Sequence, residues 1–214
     1  MGVELGKPSS DADWKVIRDL CGKTANAGAG IPERRWPFFG EFWVGPYQKL
    51  APEWTFVARD PEGRIVGYLT GCPDRAPYER KKLVRHTLPL FFKVLSGAYP
   101  FNEDITWFLK RFLKLEAGLV KKYPKGLVPT LARDYPAHLH VNVDGTCRGG
   151  GVGRKLMGLY ESELKKAGVP GVHLYCGASP AGFYSKLGYE TLAAGERFPG
   201  VMVYAMGKNL VSEG

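Results

Sequence analysis

Between Leu139 and Met157 the chain reads Leu-His-Val-Asn-Val-Asp-Gly-Thr-Cys-Arg-Gly-Gly-Gly-Val-Gly-Arg-Lys-Leu-Met. An alternating apolar run, a glycine loop and the start of an amphipathic helix follow one another. Gly149, Gly150, Gly151 and Gly153 leave almost no Cβ atoms on the loop, so consecutive backbone N–H groups can come close to an anion. The helix that begins near Gly151 adds its own free N–H groups and the positive end of its dipole, and Arg148, Arg154 and Lys155 add formal charge. The chemistry this suits is the holding of a pyrophosphate.

Two phosphate loops are excluded. Lys155 is followed by Leu156, so the magnesium-binding hydroxyl of the Gly-x-x-x-x-Gly-Lys-Ser/Thr loop is missing. The dinucleotide pattern Gly-x-Gly-x-x-Gly fails at its third position, which is Arg154. What remains is Arg148-x-x-Gly151-x-Gly153 between a strand and a helix. This resembles the coenzyme A loop of the GCN5-related N-acetyltransferases (GNAT superfamily). A second stretch supports it: Val172 to Cys176 reads as a short strand, and Ala178 to Gly188 as a short helix with a glycine at its end. Phe183-Tyr184-x-x-x-Gly188-Tyr189 is similar to the other signature of that family, in the right order and at the usual separation.

The resemblance implies an α/β fold with a mixed central sheet flanked by helices, and acetyl-CoA as cofactor. It implies cofactor contacts from Asn142, Val143, Arg148, Gly149, Gly150, Gly151, Val152, Gly153, Arg154, Phe183 and Tyr184. Phe183 would pack beside the cofactor and the Tyr184 hydroxyl would sit at its sulfur. Gly177 stands where the family usually has an asparagine, which removes one expected hydrogen bond to the cofactor.

The elements that must position these residues follow from pattern. A first strand is expected around Val3 to Leu5. Ser9-Ser10-Asp11 is helix-start chemistry, and Trp14, Val16, Ile17, Leu20 and Cys21 make an apolar stripe at helical spacing. The aromatic-dense run Trp36 to Tyr47 is either core and lid packing or a substrate wall. Trp54 to Arg59 and Arg64 to Gly71, separated by Asp-Pro-Glu-Gly, form a hairpin. With Leu139 to Val143 it makes an antiparallel platform, which the strand at Val172 joins as a parallel crossover. Tyr78 to Leu95 and Ile105 to Tyr123 show helical periodicity, with Lys and Arg on the remaining positions. One domain over residues 1–214 is expected, with a helical insertion at about 76–135. Its basic clusters, Arg80-Lys81-Lys82 and Lys121-Lys122, read as solvated faces.

With that insertion, and with Tyr135 to Val141 and Phe198 to Val203, the chain resembles the acetyltransferase-like C-terminal domain of O-GlcNAc hydrolases and its stand-alone bacterial relatives. Composition agrees with a globular chain: 214 residues, 44% hydrophobic and 24% charged. No run approaches a membrane span, and the N-terminus lacks a signal peptide's apolar core, so no membrane association is expected. The net charge of +9 comes without a nucleic-acid motif; it reads as a basic surface that steers an anionic cofactor. Cys21, Cys72, Cys147 and Cys176 are scattered and no histidine cluster has zinc spacing, so reduced thiols in a cytoplasm and no metal are expected.

Acetyl transfer from a thioester to an amine needs a neutral amine, an oxyanion site and a proton for the departing thiolate. Peptide N–H groups near Asn142 and Val143 are candidates for the oxyanion site, and Tyr184 for the acid. His138, His140 and Asn142 alternate to one face of their strand, toward either the cleft or a packed helix; His138 and His140 are candidate catalytic bases, with Glu41 and Tyr175 as others. Cys147 and Cys176 have no recognisable base partner, and direct transfer needs no thiol nucleophile. The expected function is an N-acetyltransferase acting on a small amine or a protein lysine. The alternative is a silent module that binds coenzyme A or a protein partner.

Overall fold

The computed structural model describes residues 2–113, 124, 126–198 and 201–211. One mixed sheet of seven strands runs through it in the order β1-β2-β3-β4-β5-β7-β6. The strands are β1 (Glu4–Gly6), β2 (Thr55–Arg59), β3 (Ile65–Cys72), β4 (Ala137–Val143), β5 (Gly171–Gly177), β6 (Glu190–Phe198) and β7 (Val201–Asn209). The helices are α1 (Asp11–Thr24), α2 (Trp36–Trp43), α3 (Gly45–Leu50), α4 (Arg75–Lys82), α5 (Leu88–Leu95), α6 (Glu103–Phe112), α7 (Leu127–Asp134), α8 (Val152–Lys166) and α9 (Ala178–Ser185). Every strand pair is antiparallel except β4–β5, the crossover made through α8.

Period-two patterning divides the sheet into two faces. Phe56, Ala58, Leu69, Leu139, Val172 and Leu174 pack under α8, against Leu156, Met157, Tyr160 and Leu164. Burying those four α8 side chains contributes about 1.5–3 kcal/mol each, which fixes the helix and its N-terminus over β3 and β4. The Tyr160 hydroxyl donates to the carbonyls of Cys72 (3.1 Å) and His138 (3.0 Å), tying α8 to both strands. On the other face Val57 and Tyr68 meet Trp14, Ile17, Leu20 and Cys21 of α1. Ser10 starts α1 by accepting from the Asp13 N–H, with Asp11 and Asp13 placed favourably in the first turn. Farther along that face, Leu127 and Leu131 of α7 cover Ala193 and Ala205 of the β6–β7 pair. Two separate helical groups therefore cover this face.

Several expectations are corrected in detail. The apolar stripe of Tyr78 to Leu95 is not all core: Leu90, Phe91 and Val94 pack with Phe38, Ile105 and Phe108, while Val84, Leu88, Phe92 and Leu95 are exposed. A π-helical turn, Leu83–Thr87, joins α4 to α5 and shifts the helical phase there. The second helix of that region is α6, and Lys121 and Lys122 lie outside the described residues. Residues 36–47 form two short helices broken at Val44. No helix among the described residues is long and apolar enough to cross a membrane.

Candidate functional site

The glycine loop runs from β4 through the short turn Gly145–Cys147 into α8. Gly151 caps the helix at φ +78°, where a side chain would be strained, and the space a Cβ would enter there is open. The first backbone bond of the helix is Lys155 N–H to the Gly151 carbonyl. Among the described residues, the N–H groups of Gly149, Gly151, Val152, Gly153 and Arg154 have no acceptor. They face outward from the positive end of a 15-residue helix, a ready anion cradle. Arg154 and Lys155 are exposed beside them and make no ion pair among the described residues. Arg148 is placed differently: its guanidinium packs on Gly28, in the turn after α1, filling the position a side chain there would take. Lys23 reaches Asp144 at 2.6 Å, so α1 is tied to this loop at two points.

Gly153 explains how the second signature joins the first. A Cβ at Gly153 would lie 3.1 Å from the Phe183 ring and 3.7 Å from Val143, so the absence of a side chain lets the first turn of α8, the end of β4 and α9 converge. Phe183 is partly exposed there. Tyr184 is buried, its ring 5.1 Å from Phe183 and 5.9 Å from Tyr189. Burial pushes its phenol well above its ordinary pKa, so it carries its proton at neutral pH. Its hydroxyl makes no hydrogen bond among the described residues.

Beneath α8 the sheet opens. β4 and β5 pair only at Ala137–Val172 and His138–His173, and then diverge. The Asp144 N–H donates to the Val66 carbonyl at 2.8 Å, and antiparallel alternation from that bond turns the N–H groups of Asn142 and His140 toward β3. Those of Val141 and Val143 point into the opening, past the last β4–β5 pair. The main-chain donors in the cleft are therefore Val141 and Val143, and the Asn142 N–H is committed to β3. Asn142 contributes its side chain instead, whose Nδ2 donates to the Tyr68 hydroxyl (2.7 Å) and to His140 Nε2 (2.9 Å).

His138, His140 and Asn142 share one face, as alternation requires, and that face carries α1–α3. The His140 ring stacks on Trp43 at 6.0 Å and 12°, with Cys21 Sγ 3.9 Å from Nε2. Because Nε2 accepts from Asn142, the ring proton is on Nδ1. Burial lowers its pKa to about 4. His138 stands at the apex of the opening. Its Nδ1 is 3.3 Å from the Tyr47 hydroxyl, and its ring is 5.1 Å from His173 and 6.1 Å from Tyr175. Burial first, then the Arg75 charge, hold it well below the usual histidine range, so it is neutral at pH 7.

Tyr184 and the two histidines thus flank the opening from opposite faces of the sheet. Sequence reading missed Trp43, Tyr47, Arg75 and His173 here. The alternation in Val172 to Cys176 already put His173 and Tyr175 on one face; its relation to His138 needed the parallel register. Glu41 lies away from the opening, paired with Lys49 at 3.2 Å and 3.8 Å from His86. Cys21 and Cys176 are buried thiols pushed up to about 12 and about 11, and are poor nucleophiles. No group of metal ligands is present among the described residues.

A sheet splayed between its fourth and fifth strands, with a glycine-capped helix N-terminus at the mouth, is the acyltransferase fold of the GCN5-related N-acetyltransferases, and solved structures bear this out. A protein named SsHAT is similar to this chain at 29% identity and a TM-score of 0.72, over 99% of this chain and 100% of its own. At the level of fold, yncA of Salmonella typhimurium, a putative acetyltransferase solved with acetyl-CoA, matches at 13% identity and a TM-score of 0.54, covering 100% of this chain and 97% of its own. Ard1 of Thermoplasma volcanium matches at 13% and 0.55, over 99% and 100%. No family model matches the chain.

Proposed function

We propose that the protein is an acetyl-CoA-dependent N-acetyltransferase that moves the acetyl group directly to a primary amine. The observation that carries this reading is the opening between β4 and β5: free N–H donors of Val141 and Val143 within it, an anion cradle at its mouth and a protonated Tyr184 at its side. Similarity to SsHAT and to an acetyltransferase fold solved with acetyl-CoA supports it.

The N–H groups of Gly149, Gly151, Val152, Gly153 and Arg154 would hold the pyrophosphate of acetyl-CoA, with Arg154, Lys155 and Arg148 nearby in charge and Phe183 against the chain. Acetyl-CoA supplies the activated thioester. Val141 and Val143 would donate to its pantetheine and carbonyl oxygens, stabilising charge as the amine adds to the carbonyl carbon. When the C–S bond breaks, the Tyr184 O–H gives its proton to sulfur and is reprotonated from water. Of the two histidines, His138 suits the amine proton better. In the tautomer whose Nδ1–H donates to the Tyr47 oxygen, the Nε2 lone pair of His138 is free, whereas that of His140 is used by Asn142. A neutral His138 has a lone pair throughout the neutral pH range, but it is a weak base, so it takes a proton released as the N–C bond forms.

Gly151→Glu tests the cradle by placing a charged side chain at a φ of +78° before the phosphates. Calorimetry should show acetyl-CoA affinity lost in a folded variant; unchanged affinity would overturn the assignment of the loop.

A further inference from the structure

Arg75 is held from four directions at the closed end of the opening. Its N–H donates to the Pro136 carbonyl (2.9 Å), and it starts α4 behind the Asp74 cap, whose carboxylate accepts from the Ala76 N–H. Its Nη1 donates to His173 Nε2 at 3.0 Å, and its guanidinium lies 5.1 Å from the centre of the Tyr175 ring. His173 is fixed in turn, since its Nδ1–H donates to the Tyr135 carbonyl at 2.6 Å. His173 pairs with His138 in the last β4–β5 pair, so this cation adjoins the proposed base.

Satisfying His173 uses one of five guanidinium N–H donors. Glu79 is 3.7 Å from Nε and also shared with Lys82 at 3.6 Å, and the Asp74 carboxylate is used by the α4 N-terminus, so neither carboxylate makes a close two-pronged pair with the guanidinium. Arg75 Nη2 has no hydrogen bond among the described residues, and the side chain is 34% exposed. Among the buried side chains here, His138, His140 and His173 are held neutral and Tyr47 and Cys72 keep their protons, so these bring no negative charge at neutral pH. A pre-oriented, incompletely paired guanidinium suits a carboxylate, which it can grip with two N–H groups. The short span from His138 through His173 to Arg75 matches an amine and a carboxylate on one small molecule.

We infer that Arg75 anchors a carboxylate of the acceptor, so that the substrates are small amino acids and not carboxylate-free amines. This rests on the acetyltransferase reading, and the test separates the two. Thiol release from acetyl-CoA is measured with small amino acids and with their amides, with rates referred to the concentration of neutral amine. The parent should prefer the acid by at least ~10-fold in kcat/KM, as a charge-assisted pair allows. Arg75→Met should abolish the preference through KM, with the acid's kcat/KM falling at least ~10-fold more than the amide's. Glu79→Gln, at an exposed position, should raise the preference by removing the competing carboxylate. Equal rates for acid and amide in the parent, or an equal loss of both in Arg75→Met, would overturn the inference and leave Arg75 a structural tie for His173. If the parent acetylates no amine, the acetyltransferase reading fails. Calorimetry on coenzyme A-saturated protein then decides for Arg75: tighter binding of acid than of amide supports it, and equal binding overturns it.

Discussion

Tyr184 is where proton chemistry and packing can be told apart. Tyr184→Phe keeps the ring against Phe183 and Tyr189 and removes only the hydroxyl, so single-turnover acetyl transfer should slow by roughly 10²-fold or more while acetyl-CoA affinity stays level. An unchanged chemical step would leave the acid role to water. His138 gives a second expectation, in pH. Its protonated form is disfavoured by burial and by Arg75, so the rate should show no inflection near 6.5, the ordinary histidine value. The fall in rate toward acid should instead track protonation of the acceptor amine; a histidine-like limb in a kcat profile would contradict this. Both side chains were legible as residue types in a motif. Which main-chain donors enter the cleft was not, because the phase of β4 against β3 is set by the Asp144–Val66 bond, a tertiary fact. Arg75 was not singled out at all, since nothing local shows that it meets His173 from 98 residues away.

At the scale of elements, β4 bonds to β3 along its length and to β5 at its first residues alone, and that asymmetry makes the cleft. Val143→Pro tests it cleanly. The lost N–H is one that β3 does not use, so the β3–β4 ladder survives while a cleft donor disappears. kcat/KM for acetyl-CoA should fall at least ~10-fold with little change in melting temperature; an unaffected kcat/KM would remove Val143 from the site. The strand, loop and helix around Gly151 were legible because capping glycine, apolar periodicity and strand alternation agree over residues 139–166. The β6–β7 hairpin was not. Ala193, Ala194 and Gly195 carry weak alternation, and β7 lies between β5 and β6, a placement that register alone reveals. Helix α7 was missed as well: with Gly126 at its N-cap and Pro129 inside it, its eight residues give little periodic signal.

Over the whole molecule, all four histidines, His86, His138, His140 and His173, lie in surroundings that disfavour their charged forms, burial being the first cause in each. The native state holds them neutral, and the unfolded chain protonates them near 6.5. Below that pH the unfolded state binds more protons, so stability falls as pH falls. His86 and His173, each 1% exposed and lowered to about 4, would each forfeit about 3 kcal/mol by the time pH 4 is reached. Urea midpoints should therefore drop between pH 7.5 and pH 5.5, before most carboxylates titrate; a flat midpoint would contradict the assignment of neutral buried rings. The +9 charge, legible from composition, acts at the same scale: Arg154 and Lys155 at the loop make no ion pair among the described residues, and acetyl-CoA association should slow with added salt. The central claim, that this fold transfers acetyl to an amine, is tested most directly by thiol release from acetyl-CoA across a panel of amines, with the product identified by mass. Acetylated amine should appear in a one-to-one ratio with thiol, above the rate of acetyl-CoA hydrolysis without acceptor. Tight acetyl-CoA binding with no acetylated product from any amine would contradict the claim and make the protein a coenzyme A-binding module.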